Sequence, residues 1–430
     1  MDTAVLAGGA LSAAATAYAL LATLATTRAR HARSPAPSTA AAAPSAQSSA
    51  IDAASTVVAQ NSAIDAPSAF AVQRVAGGAP SERAAPASVR VPSKPSDALG
   101  AAHPVTVLKP LCGAEPRLYE NLATFCQQTH PSYQLVFGVR DANDPAVTVV
   151  RRLQADYPQR DIALAIDPAT HGSNPKVSNL LNMMPHARHD WLVLADSDIA
   201  VPNDYLVRVT APLADAKTGV VTCLYKGRAA AKGWPQLGVQ FIDDWFAPSV
   251  HVAHAGGSRS FAFGATISLR RDALNAIGGF SALKDRLADD YWLGELTRQQ
   301  GLTTVLSDVV VTTDVTEKTL KDLWRHELRW MRTIRSLNPA GFAFTFITFT
   351  WPMLLLGLAI APSQTGWALL LAGAIVRSWQ AGSFSAALRA PLRDALLLAE
   401  WAAALSGSRV RWRQQTLSVH DAQPLPERSQ

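Results

Sequence analysis

The sequence predicts an α/β domain on a mostly parallel sheet, flanked by apolar helical segments suited to a membrane. Three observations carry this. Short apolar runs alternate with amphipathic stretches between residues 104 and 315, the rhythm of strands and crossover helices. These runs are continuously apolar, as burial on both faces of a sheet requires. Uncharged stretches of spanning length stand near both ends of the chain, each with arginines beside it.

With 430 residues, 48% of them hydrophobic, and a formal charge of +6, the chain can build a sizeable core. Its first element is Ala4 to Thr26, uncharged, followed by Arg28, Arg30 and Arg33 and preceded only by Asp2. A cleaved leader carries its positive charge ahead of the apolar core, so this order predicts an uncleaved anchor at 1–30 with its basic flank in the cytoplasm. Residues 31–100 are rich in Ala, Pro and Ser with almost no aromatics. Such a segment buries too little to offset the entropy of ordering it, and a disordered linker is expected.

The α/β domain, 101–338, follows. Val105–Pro110, Tyr133–Val139, Ile162–Ile166 and Trp191–Ala195 read as strands, with Arg117–Gln128, Ala146–Tyr157 and Val177–Met184 as helices between and beside them. In open sheets of this kind ligands bind at the carboxyl ends of the strands. Asp141 follows the second strand there, and Asp196 and Asp198 follow the fourth in "WLVLADSDIA". Paired carboxylates suit a hard divalent ion, which takes one or two of them plus substrate phosphates; the plain alternative is a solvated loop.

"HGSNPKVSNLL" brings Lys176 to the mouth of a helix, where a cation and free N–H groups favour a phosphate. Asp289 and Asp290 open a further helix, as first-turn acids or, for Asp290, as a general base. Between Asp243 and Leu274, His251 and His254 are candidates for contact with an acceptor, and Gly264 would admit a close approach.

Next, Leu320, Leu323, Trp324, Leu328, Met331 and Ile334 mark an amphipathic helix, with Lys321, Arg325, Arg332 and Arg335 flanking its apolar side. That pattern suits an anionic lipid surface. His326, Arg329 and Trp330 lie within two turns of it and are placed to close over a diphosphate. The C-terminal part, 339–430, offers Ala340–Ala361 as a span, Trp367–Val376 as the returning arm of a hairpin, and Ala395–Ser406 as an interfacial piece before a basic tail. Cys112, Cys126 and Cys223 lack the spacing of a zinc site or redox motif and fit a reducing compartment. The basic residues form no tract with interleaved aromatics, which argues against nucleic acid as a partner.

In order along the chain, "LKPLCG", "VRDANDPA", "NPKVSNL", "DSD", "ADDYWL" and "HELRW" resemble the ceramide glucosyltransferase-like branch of the glycosyltransferase family 2 superfamily, with its D, D, D, (Q/R)xxRW pattern. "HELRWMRTIR" is most similar to the bacterial hopanoid-biosynthesis glycosyltransferases. The resemblance implies a GT-A fold, UDP-N-acetylglucosamine or another UDP-sugar as donor, Mg²⁺ or Mn²⁺ as cofactor, and a lipid acceptor such as the hopanoid polyol bacteriohopanetetrol. It implies that Asp141 contacts the uridine, that Asp196 and Asp198 form the metal-binding pair, with Asp198 the metal ligand, and that Asp290 is the catalytic base of an inverting transfer. Arg329 and Trp330 then serve the departing UDP, and His326 stands where ceramide enzymes have Gln or Arg. Two other readings stay open: ceramide or another lipid as acceptor, and an inactive transferase fold that binds a lipid or partner. The expected setting is the inner membrane, crossed several times, with the catalytic domain facing the cytoplasm.

Overall fold

The computed structural model describes residues 3–33, 103–407, 409–412 and 415–418. Beyond Arg33, the expected linker at 31–100 lies outside the described residues. Helix α1 (Thr3–Arg33) is longer than the predicted anchor, and its stretch Val5–Ala32 is, among the described residues, the single helix long and apolar enough to cross a membrane unaided.

The predicted alternation follows as β1 (Val105–Pro110), α2 (Leu118–Cys126), β2 (Tyr133–Val139), α3 (Pro145–Asp156), β3 (Asp161–Ile166), α4 (Pro175–Met183) and β4 (Trp191–Leu194). Two helix starts are written in the local sequence. Asp144 accepts from the Ala146 N–H ahead of Pro145, and Asn174 accepts from those of Lys176 and Val177 ahead of Pro175, so each helix has a side-chain cap and a proline in its first turn. The chain continues through β5 (Ile199–Ala200), α5 (Tyr205–Thr210), β6 (Thr218–Ala229), α6 (Trp234–Gln240), a π-helical turn at Phe241–Phe246 and α7 (Ala247–Ala255). It closes the domain with β7 (Ile267–Arg270), α8 (Arg271–Ala276), α9 (Asp289–Gln299) and β8 (Thr303–Val315).

These strands form one eight-stranded sheet in the order β3-β2-β1-β4-β7-β6-β8-β5. β3, β2, β1 and β4 run parallel, as expected from their crossover helices. The other half is mixed: β7 is antiparallel to both β4 and β6, β8 is parallel to β6, and the short β5 is antiparallel to β8. Alternate residues of β1 and β2 feed opposite faces. Val105, Val107, Leu135 and Phe137 pack with Leu122, Phe125 and Val150 on one side, while Leu108 and Val136 pack with Met183 and Trp292 on the other. Each fully buried Leu or Phe contributes about 1.5–3 kcal/mol. β3 departs from the expectation of burial on both faces: it is an edge strand and most of its residues are half-buried.

The C-terminal elements are α10 (Leu320–Leu337), α11 (Pro339–Phe344), α12 (Thr350–Ile360), α13 (Gln364–Gln380), α14 (Phe384–Ala404), β9 (Arg409–Trp412) and β10 (Gln415–Ser418). The span expected at Ala340–Ala361 is broken, because Pro339–Thr348 and Thr350–Ile360 meet at 72°. In a continuous helix the Pro352 ring would collide with the Thr348 carbonyl and leave it without an N–H partner. Helices α12 and α13 both pack on α1. Small side chains permit this: Ala15, Ala19 and Ala22 are fully buried, and a Cβ on Gly8 would stand 2.5 Å from the Gly357 carbonyl oxygen. The alanines that dilute the apolar signal of α1 are its packing face.

Arg377 and Arg393, whose places beside apolar segments of the sequence suggest basic membrane flanks, are instead buried. Arg377 meets Asp394 at 2.9 Å and Asp244 at 3.3 Å, and Arg393 lies 2.9 Å from both Glu327 of α10 and Glu400. The piece read as Ala395–Ser406 is largely the second half of α14, which turns its charges inward and leaves Phe384, Leu388 and Leu392 exposed on the opposite side.

Candidate active site

The carboxyl ends of β1, β2 and β4 open into a cavity of about 1500 Å³. Asp141, Lys176, Asp196, Asp198, Asp290, His326, Arg329 and Trp330 all line it. The histidines read as acceptor contacts do not. Helix α7 presents Ser249, Val250 and Ala253 to the cavity, while His251 is buried and His254 packs toward Phe261.

Gly264 marks the point where distant segments converge. Its N–H donates to Asp290 Oδ2 at 2.9 Å, and a Cβ there would stand 2.9 Å from Asp196 Oδ2 and 3.1 Å from Lys176 Nζ. Only glycine lets the chain pass between the strand-end carboxylate, the mouth of α4 and the start of α9. Lys176 Nζ lies 2.7 Å from Asp196 Oδ1 and 3.4 Å from Asp289 Oδ2. Asp198 turns the other way and accepts from Thr313 Oγ1 at 2.6 Å. Beneath them Lys109, wholly buried, donates to the Asp196 carbonyl at 2.8 Å and rests 3.7 Å from the centre of the Phe125 ring. Asp141 is exposed and accepts from the Asn143 N–H, and Asp144 draws in the loop after β1 by accepting from the Gly113 N–H at 2.9 Å.

The electrostatics follow from this crowding. Burial pushes the Asp290 carboxyl up to about 6, with Asp289 adding and Lys176 opposing. Burial and the Asp196 charge push Asp198 up to about 6, against its hydrogen bond from Thr313. Burial brings Lys109 down to about 7, opposed by Asp198, Asp196 and Glu115. For Lys176 burial also disfavours the charge, but Asp196, Asp289 and Asp290 prevail and hold it above the ordinary value.

Asp196 and Asp198 thus share a half-buried turn with more negative charge than their neighbours balance. Among the described residues, no cluster of three or more His, Cys, Asp or Glu could hold a metal by itself. The pair fits an ion that takes one or two carboxylates and completes its shell with phosphate and water, as Mg²⁺ does.

On α10, His326 Nδ1 pairs with Glu317, and the His326 ring meets Trp330 edge-on at 4.4 Å. Trp330 packs in turn on Phe241. Arg329 lies in the field of Asp196, Asp290 and Glu317. Away from the acids the cavity is aromatic. Phe261 and Phe263 are parallel within 3° at 5.6 Å, Phe246 meets Phe263 edge-on at 5.2 Å, and Tyr225 stacks on Phe246. Leu337 and Ala340 extend this lining to the C-terminal helices.

Sequence reasoning missed Lys109, Thr313 and Glu317. Lys109 left one signal, a charge inside the apolar run "VTVLKP". Thr313 and Glu317 are distant in the chain, and nothing local marks them.

The mixed sheet, with its cleft at the strand ends, defines a GT-A-like glycosyltransferase fold. The mannosyltransferase PcManGT from Pyrobaculum calidifontis, solved with GDP-Man and Mn²⁺, superposes with a TM-score of 0.50 at 20% identity, over 71% of this chain and 88% of that one. Residues 81–424 match Glycosyl transferase family 21, and the chain belongs to that family. Ceramide glucosyltransferase 3 of Caenorhabditis elegans is 26% identical over 239 residues, 55% of this chain and 51% of that protein. The ceramide glucosyltransferase of Candida albicans is 32% identical over 114 residues, 24% of this chain and 21% of that protein. The chain spans about half the length of its nematode relative.

Proposed function

We propose that this chain is a membrane-bound inverting glycosyltransferase that moves a sugar from a UDP-sugar to a lipid hydroxyl. One observation carries the reading: the same cavity holds Asp290, Lys176 and the Asp196/Asp198 pair at its polar end and the Phe246, Phe261 and Phe263 rings at its apolar end. A charged donor and an apolar acceptor can meet there.

In this reading the acceptor oxygen attacks the anomeric carbon, its proton passes to Asp290, and the bond from that carbon to the diphosphate breaks with UDP leaving. An aspartate raised toward neutrality is a better base than an ordinary one, and the shift at Asp290 supports the role. Asp141 holds the uridine, while Lys176, His326, Arg329 and Trp330 surround the diphosphate. Asp198, with Asp196, would hold Mg²⁺ or Mn²⁺, which when bound neutralises charge on the leaving group.

The proposed acceptor is a hopanoid polyol such as bacteriohopanetetrol, and the proposed donor UDP-N-acetylglucosamine. A rigid alicyclic lipid suits the flat aromatic wall. The named relatives favour a second acceptor, ceramide. The proposed organisation is an anchor at 1–30, a linker at 31–100, a GT-A domain at 101–338 and membrane helices with a basic tail at 339–430, in the inner membrane with the cleft on the cytoplasmic side.

Membranes carrying the chain, incubated with a panel of UDP-sugars and both lipids, should yield a glycolipid identified by mass. Product from ceramide alone overturns the hopanoid assignment. No release of UDP with any lipid favours a binding protein.

A further inference from the structure

Glu317 stands in the short turn between β8 and α10, a position to which nothing in the sequence draws attention. Its carboxylate pairs with His326 Nδ1, and its second oxygen accepts from the Thr316 N–H at 3.1 Å. The side chain is only 15% exposed. Burial works against its charge, yet the hydrogen bond and charge of His326 hold the carboxyl below its ordinary value. Trp330 contacts the same imidazole edge-on. With Nδ1 taken and one side of the ring covered, Nε2 is the atom His326 has left for a ligand.

Both residues line the cavity that contains Asp196, Asp290 and Arg329. An imidazole seated between that carboxylate and an entering diphosphate would donate from both ring nitrogens, Nδ1 to Glu317 and Nε2 to the phosphate oxygen. The cavity needs such a donor. Carboxylates, Asp196, Asp198, Asp289 and Asp290 among them, outnumber the Arg140, Lys176 and Arg329 cations in its lining, so a diphosphate entering there requires cations held in place.

We propose that Glu317 and His326 form a carboxylate–imidazolium pair whose Nε2–H binds the diphosphate of the nucleotide sugar and stabilises it as it leaves. This rests on the transfer reading above. As the bond from the anomeric carbon breaks, its electron pair passes to the terminal phosphate oxygen, and a fixed positive donor interacts more strongly with that oxygen than with the bridging one it replaces. Glu317 is the positioning residue; His326 makes the contact.

The test uses the full chain in nanodiscs, with UDP binding and transfer kinetics measured together. Glu317→Gln should lower kcat by roughly 10- to 100-fold, weaken UDP binding, and leave the acceptor KM unchanged. His326→Ala should do the same, and the double variant should be no worse than either alone. Arginine carries its own charge, so adding His326→Arg to Glu317→Gln should restore UDP binding. If Glu317 merely supported the fold, that rescue would fail. The pair is refuted if Glu317→Gln matches the parent in kcat and UDP affinity, or if arginine does not rescue it. A parent chain that neither binds UDP nor transfers sugar refutes the transfer reading itself, whereas an active parent matched by Glu317→Gln refutes the pair alone.

Discussion

Lys176 and Asp196 form a 2.7 Å ion pair where the mouth of α4 meets the strand-end carboxylates. The cation expected to greet a phosphate is thus held by one of the acids proposed to serve the same donor. Replacing Lys176 with Gln should weaken UDP binding about 10- to 150-fold, the equivalent of a charged hydrogen bond of about 1.5–3 kcal/mol. Lys176→Arg should recover little, because a planar guanidinium does not reproduce the compact ammonium that Asp196 and Asp289 both hold. Calorimetric titration with UDP reads both. An unchanged affinity would leave Lys176 the role of neutralising Asp196.

The parts of this arrangement legible in the sequence were those with a local signature. Continuous apolar runs announced β1, β2 and β4; Asn174 and Pro175 announced α4; and an acid after a strand marked Asp196 and Asp198. Tertiary pairings were not legible. The direction of β7 depends on which strand it meets, and the burial of Arg377 and Arg393 depends on acids that only the fold brings beside them. A lone arginine at the end of an apolar helix reads as a membrane flank until its partner is known.

As the proposed base, Asp290 should set the acid limit of activity. With its carboxyl raised to about 6, the base is ionised above that pH and protonated below it, so the rate should rise as pH increases through about 6. Asp290→Asn should lose about 10²- to 10⁴-fold in transfer, the usual contribution of a general base, and still bind UDP. A full rate in this variant would remove Asp290 from the chemistry.

Chelation should abolish transfer, and Mg²⁺ or Mn²⁺ should restore it. Asp198→Asn should raise the metal concentration required, since Mg²⁺ takes only one or two protein carboxylates. Thr313→Val, which removes the hydroxyl holding Asp198 Oδ2, should do the same to a smaller degree. Activity at full rate in excess EDTA would show that the acids work without an ion.

The ion group around Arg393 joins α14 to the helix that carries Arg329. Arg393→Met alone leaves Glu327 and Glu400 buried without their cation and should destabilise the chain by about 3–5 kcal/mol. Replacing all three with apolar residues of similar volume should be close to neutral, because no buried charge is then left unpaired. Thermal unfolding in detergent separates the two. If the triple variant unfolds normally but transfers slowly, the group serves to place α10 rather than to stabilise the fold.

Helix α1 reaches the wall of the cavity. Tyr18 donates to Ser249 Oγ at 2.7 Å, and Ser249, which lines the cavity, donates onward to the Trp245 carbonyl at 2.6 Å. An element read from the sequence as an anchor therefore braces α7 from behind, on the side proposed for the lipid. Tyr18→Phe removes one hydrogen bond of about 0.5–1.5 kcal/mol and should raise the lipid KM several-fold while the donor KM stays constant. Ser249→Ala should act through the same link, so the double variant should show less than the sum of the single effects. Initial rates at varied lipid and fixed UDP-sugar give the comparison. If Tyr18→Phe changes membrane retention and leaves the lipid KM alone, α1 holds the protein in place and takes no part in binding the acceptor.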